Sequence, residues 1–126
     1  MASENTQLNK VLAENGLLSP KERSRYARYD KSNRGCSKEN PIVISETEDY
    51  IHLEYEVLEL LMQQHIGLRY VDFELKEQHL LGEGDKSFDL LIVDVIGLND
   101  DIGEVSVIEE HYWFDITAGF NALSQY

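Results

Sequence analysis

The chain of 126 residues carries 24 acidic and 11 basic side chains, a formal net charge of −13, with 42% hydrophobic and 28% charged residues. That length suits one domain able to bury a core without a disulfide or a structural metal, and the single cysteine, Cys36, excludes an internal disulfide and fits a reducing compartment. Such acidity disfavours nucleic acid and anionic membranes as partners and favours basic proteins.

In chain order, Asn5 to Asn15 reads as a first helix: Leu8, Val11 and Leu12 lie at helical spacing, and Gly16 supplies a left-handed stop. Ser19-Pro20-Lys21-Glu22 combines an N-cap, a first-turn proline and a capping-box glutamate, predicting a second helix from Pro20 to about Tyr29. Asp30 to Pro41 is polar and turn-rich, hence a loop, and Ile42-Val43-Ile44 is a short buried strand. Ser45 or Thr47 is placed to cap the next helix, in which Ile51, Tyr55, Leu58 and Met62 recur at helical spacing as the expected core face and which Gly67 ends.

The period then changes to two. Val71, Phe73 and Leu75 alternate with Asp72, Glu74 and Lys76, a half-exposed strand. Gly82 to Asp85 is a turn, and Phe88 to Ile96 is a strand apolar enough to be central. Gly97 to Gly103 is a second turn, and Val105 to Ile116 a third strand, with Trp113 on one face and Tyr112 and Phe114 on the other. Thr117 is placed to cap a short closing helix over Ala118 to Leu123. Helices followed by an antiparallel meander of three or more strands predict an α+β fold. One domain over residues 1–126 is expected, with a helical part at 1–34 and an α+β body at 35–126.

The longest nearly apolar stretch, Leu90 to Leu98, is interrupted by Asp94 and falls far short of the roughly 18 residues of a membrane span. Met1 to Gln7 shows no basic region followed by an apolar run, so no secretory signal is expected and the expected location is the cytoplasm.

Short motifs that carry chemistry are incomplete. His52-Leu53-Glu54 matches the H-x-E of zinc deaminases, but the Cys-x-x-Cys that completes the ligand set is missing. Gly84-Asp85-Lys86-Ser87 resembles the end of a phosphate loop, yet its glycine does not directly precede the lysine and a strand is expected to follow. In Asn99-Asp100-Asp101-Ile102-Gly103-Glu104, a glutamate stands where a calcium loop needs its sixth-position glycine. His52, His65, His79 and His111 keep no ligand spacing. Cys36, beside Arg34 and Lys38, is a candidate for a lowered thiol pKa, but a nucleophile would also need a histidine next to it in space. No catalytic residue, metal or cofactor is therefore expected, and the reading is a binding module.

The charge is unevenly spread. Residues 1–41 hold eight basic and five acidic residues, a balance of +3, whereas residues 42–126 hold three basic and nineteen acidic, a balance of −16. Two groups of acids are candidates for binding a partner: Glu46, Glu48, Asp49, Glu56 and Glu59, of which the last two are expected on one exposed helix side, and Asp100, Asp101, Glu104, Glu109 and Glu110 around the last turn and strand. The same acids also serve solubility.

Gly35-Cys36-Ser37-Lys38-Glu39-Asn40-Pro41-Ile42-Val43-Ile44, Glu54-Tyr55, Phe88-Asp89 and Tyr112-Trp113-Phe114-Asp115-Ile116 together resemble small bacterial immunity proteins of contact-dependent growth inhibition and related polymorphic toxin systems, including neisserial ones. The likeness covers about residues 35–117 and carries over no functional residue. It implies a cognate toxin domain as partner, often a nuclease, whose phosphate-holding basic surface an acidic protein would cover. Two other classes fit the same sequence: a phage-encoded nucleic-acid mimic that blocks a DNA-binding defence enzyme, and a small enzyme or ligand-binding fold.

Overall fold

The computed structural model describes residues 6–17, 34–63 and 68–123. Its elements are helix α1 (Thr6–Glu14), strand β1 (Ile42–Val43), helix α2 (Tyr50–Gln63), strands β2 (Arg69–Glu83), β3 (Lys86–Asn99) and β4 (Glu104–Asp115), and helix α3 (Thr117–Leu123). The helix expected from Pro20 to Tyr29 and the stop expected at Gly67 lie outside the described residues. The strands form one sheet in the order β1-β4-β3-β2, antiparallel except that β1 runs parallel to β4. The fold is α+β, with the expected meander packed against helix and β1 added at its edge.

Strand β3 is central, and side chains alternate across it. Leu91, Val93 and Val95 enter a single core with Leu8, Val11 and Leu12 of α1, Leu53, Val57, Leu58 and Leu61 of α2, and Ile42, Ile44, Tyr112, Phe114 and Ile116. Each fully buried aliphatic side chain contributes roughly 1.5–3 kcal/mol over leaving it in water. On the opposite face Phe88, Leu90 and Ile92 are also buried, with Phe88 edge-on to Trp113 at 6.4 Å between ring centres.

The buried side of α2 is Tyr50, Leu53, Glu54, Val57, Leu58, Leu60, Leu61 and Met62, so of the expected face Leu58 and Met62 lie in the core, while Tyr55 is only half-buried and the placing of Ile51 is corrected. Ile51 is 49% exposed because the stripe is rotated by about one residue, or 100°, from the expected one. The capping expectations also change. Helix α2 begins at Tyr50, three residues beyond Thr47, and Ser45 instead donates its hydroxyl to Glu14 at 2.8 Å. Before α3, it is the Asp115 carboxylate that accepts the Thr117 N–H at 3.0 Å and the Thr117 hydroxyl at 2.6 Å, while Thr117 Oγ1 accepts the Ser87 N–H at 3.0 Å. Strand β2 runs well past Lys76 because a register shift between Leu75 and Glu77 changes which side chains share a face.

Two contacts lock the N-terminal part onto this body. Asn15 is buried and stands in for a strand beside β1: its amide donates to the Val43 carbonyl at 2.8 Å, and its Oδ1 accepts the Val43 N–H at 2.7 Å. Arg34 reaches the same Oδ1 at 3.2 Å and Asn40 Oδ1 at 2.8 Å. Gly35 accepts the Trp113 N–H at 2.7 Å and donates its own N–H to Asn40 at 2.7 Å. Its φ of +86° is one that residues with a Cβ rarely adopt, and a Cβ there would stand 2.8 Å from Ile42 Cδ1.

Gly35→Ala should therefore cost roughly 2 kcal/mol or more through strain and overlap, read as a lowered urea midpoint. Gly82→Ala, which meets open space at an ordinary φ, should shift stability by less than about 0.5 kcal/mol. Equal effects at the two positions would contradict this account of the Gly35 loop.

Candidate functional site

The outward side of α2 carries a continuous trough. One part, about 770 Å³, is lined by Glu48, Asp49, Tyr50, Ile51, His52 and Tyr55, with Thr47 and Ala122 at its ends. A second part, about 520 Å³, is lined by Leu8, His52, Tyr55, Glu56, Glu59, Leu60 and Gln63. The two meet at His52 and Tyr55. The trough exists because α2 turns its apolar stripe to the sheet, leaving Ile51 in the open and Tyr55 half-buried between two acidic rims. An apolar floor ringed by charge is the layout of a protein-binding hot spot.

The structure sorts the ten candidate acids. Glu48, Asp49, Glu59, Asp101 and Glu104 are exposed and have no ion-pair partner among the described residues. Glu46 is half-buried against Lys10 at 3.1 Å, and Glu56 is half-buried beside His52; the expectation that Glu56 lies exposed with Glu59 is corrected to that extent, because His52, one turn earlier on the helix, packs against its carboxylate. Asp100 is held by Arg69 at 2.7 Å, and Glu109 by Lys76 at 2.8 Å and His111 at 3.1 Å. Glu110 accepts the buried Tyr112 hydroxyl. Strand alternation puts Glu109 and Glu110 on opposite faces of the sheet, so the second group does not converge. Only Glu48, Asp49, Glu56 and Glu59 of the first group line the same trough.

Behind the trough lies an acid pair that sequence reasoning missed. Glu54 is fully buried, and its two oxygens have no N–H or hydroxyl donor among the described residues. Its partner is Asp89, also buried, whose Oδ2 accepts the Gln78 amide at 2.9 Å while Oδ1 has no such donor. Burial first, and hydrogen bonding and repulsion from Asp89 second, push the Glu54 carboxyl up to about 10. Glu54 is thus in its neutral form at neutral pH, which spares the interior two facing carboxylate charges. Tyr50 and Tyr55 are raised by burial and then by these two acids, which places both rings close to the pair. The signal was present in the sequence: Glu54 sits four residues after Tyr50 and four before Leu58, in the middle of the core stripe.

Among the described residues no group of three or more His, Cys, Asp or Glu is placed to hold a metal ion, and no helix is long and apolar enough to cross a membrane. Cys36 is exposed.

The acid pair predicts a pH dependence. Between about 4.5 and about 10, Glu54 is ionised in the unfolded chain and protonated in the folded one, so folding takes up a proton and stability falls as pH rises, by at most about 1.4 kcal/mol per pH unit. Glu54→Gln keeps the shape and removes this slope. Urea midpoints from pH 6 to 9 should fall more steeply for the wild type than for the variant; parallel curves would show that Glu54 is not held neutral.

Comparison with protein-family models, with curated proteins and with solved structures gives no match for this chain.

Proposed function

We propose that the chain is an immunity protein: it binds a cognate bacterial toxin domain, a basic nuclease, in the cytoplasm and neutralises it by covering the nuclease's phosphate-holding surface. The observation that carries this reading is the trough on α2, in which exposed Ile51 and half-buried Tyr55 lie between Glu48 and Asp49 on one rim and Glu56 and Glu59 on the other. Apolar floor and acidic rim fit a basic protein surface with an apolar anchor better than they fit a small solute. The charge of −16 over residues 42–126 adds long-range attraction to the same class of partner. The resemblance to immunity proteins of contact-dependent growth inhibition agrees with both. In this reading the chain works by binding and performs no reaction.

The roles of the acids differ. Glu48, Asp49 and Glu59 lack internal partners among the described residues and are available to steer a partner and pair with it, whereas Asp100 and Glu109 already answer Arg69 and Lys76. Rim charges of this kind act mainly on the association rate.

Reversing Glu48, Asp49 and Glu59 to lysine should slow association with the product of the adjacent toxin gene roughly tenfold at about 0.05 M salt. The effect should shrink at about 0.5 M, where the Debye length falls from roughly 14 to roughly 4 Å. Ile51→Ala should instead speed dissociation with little salt dependence. Stopped-flow association across salt reads both. Unchanged rates in the charge-reversed variant at low salt would remove the trough from the interface. A chain that inhibits many unrelated DNA-binding enzymes, but no adjacent gene product, would point to nucleic-acid mimicry.

A further inference from the structure

Among the described residues the sheet has two unpaired edges, and they are unlike. The outer edge of β2 is broken by register shifts at Arg69/Asp72 and Leu75/Glu77 and carries Arg69 and Lys76, features that discourage pairing with another strand. The outer edge of β4 is covered by β1 only at Phe114 and Asp115, and by the Gly35 carbonyl at Trp113. From Glu104 to Glu109 no described strand lies alongside it. This segment, Glu104-Val105-Ser106-Val107-Ile108-Glu109, pairs with β3 in unbroken register and contains no lysine, arginine or proline. Val105 is 69% exposed, Val107 61% and Ile108 41%, which is unusual for β-branched side chains on a regular strand.

We propose that this edge of β4, unpaired among the described residues, takes an extended, basic segment of a partner polypeptide as an added strand. The proposal rests on the reading of the chain as an acidic module for a basic partner. The exposed backbone of β4 supplies the ladder. Val105 and Val107, on one face, and Ile108, on the other, supply apolar contacts to alternate side chains of the incoming strand. Charge decides the occupant: residues 42–126 carry a balance of −16, and Glu104 at the start of the segment is exposed with no ion-pair partner among the described residues, whereas Glu109 at its end is already held by Lys76 and His111, so a strand with lysine or arginine opposite Glu104 is favoured. A second copy of the chain is disfavoured, because it would bring another −13 to the same edge.

The test uses the full chain and two eight-residue probe peptides, one alternating lysine and valine, the other glutamate and valine. Amide hydrogen exchange should slow within residues 104–109 on adding the lysine peptide and not the glutamate peptide. Val107→Lys, at an exposed position and so expected to fold, should weaken lysine-peptide binding about tenfold or more. Leu80→Lys on the β2 edge should leave it unchanged. Protection that maps to β2 or to the α2 trough, or binding indifferent to Val107→Lys, overturns the proposal. So does sedimentation showing a dimer of the free chain that Val107→Lys dissolves, which would make a second copy the occupant. If Val107→Lys leaves binding of a basic partner intact while reversal of Glu48, Asp49 and Glu59 weakens it, strand addition fails and the acidic-module reading stands; if neither variant affects it, both fail.

Discussion

Strand β3 is hydrogen-bonded along both edges and covered on both faces, and the rest of the described structure is arranged to keep it so. On one face Asp89, Leu91, Val93 and Val95 meet α2; on the other Phe88, Leu90 and Ile92 are shielded by flanking side chains such as Trp113. A strand buried on both sides accepts polar groups only when they are paired. This explains why Asp89, the one acid in the middle of the core face, is met by a neutral carboxyl from α2 and an amide from β2. The side of α2 that buries Glu54 also buries Leu53, Val57, Leu58 and Leu61, and that rotation leaves Ile51 outside and Tyr55 half-buried on the trough.

Much of the fold was legible in the sequence because it rests on local signals. The spacing of Leu8, Val11 and Leu12, the alternation from Val71 to Lys76 and the apolar run at Phe88–Ile96 each read out a period that packing then respects. The errors have one cause, which is polar residues used where apolar ones are expected. Glu54 is fully buried in the core face of α2, and a stripe read only from apolar residues at Ile51, Tyr55, Leu58 and Met62 passes it by. Strand β2 was cut short because a bulge at Leu75/Glu77 breaks the alternation while the ladder continues to Glu83. Asn15 acts as a strand neighbour of β1, which no periodicity reports. The candidate site was legible only as a list of acids; which of them converge depends on helix rotation and strand alternation, and only four of the ten line the trough.

The residues that carry the resemblance to immunity proteins turn out to be structural ones. Gly35 admits the Ile42 side chain and holds Trp113, Glu54 meets Asp89, and Tyr112, Phe114 and Ile116 lie in the core. They specify a framework. The residues proposed to bind, Glu48, Asp49, Ile51 and Glu59, lie on its outside and are free to differ without disturbing it. A scaffold of this kind can change partners by changing its rim, since exposed substitutions cost little stability.

The pairing of Ile42 with Phe114 and of Gly35 with Trp113 joins segments more than 70 residues apart in the chain. At translation rates of about 5–20 residues per second, β1 and its loop wait several seconds for a neighbour. In that interval the β2–β3 hairpin, whose strands adjoin in sequence, is free to form first. Folding that depends on contacts so distant along the chain is slow, and a nascent chain stalled before Trp113 lacks the partner that holds both Gly35 and β1. The sheet is closed by β4, the last of its four described strands in chain order.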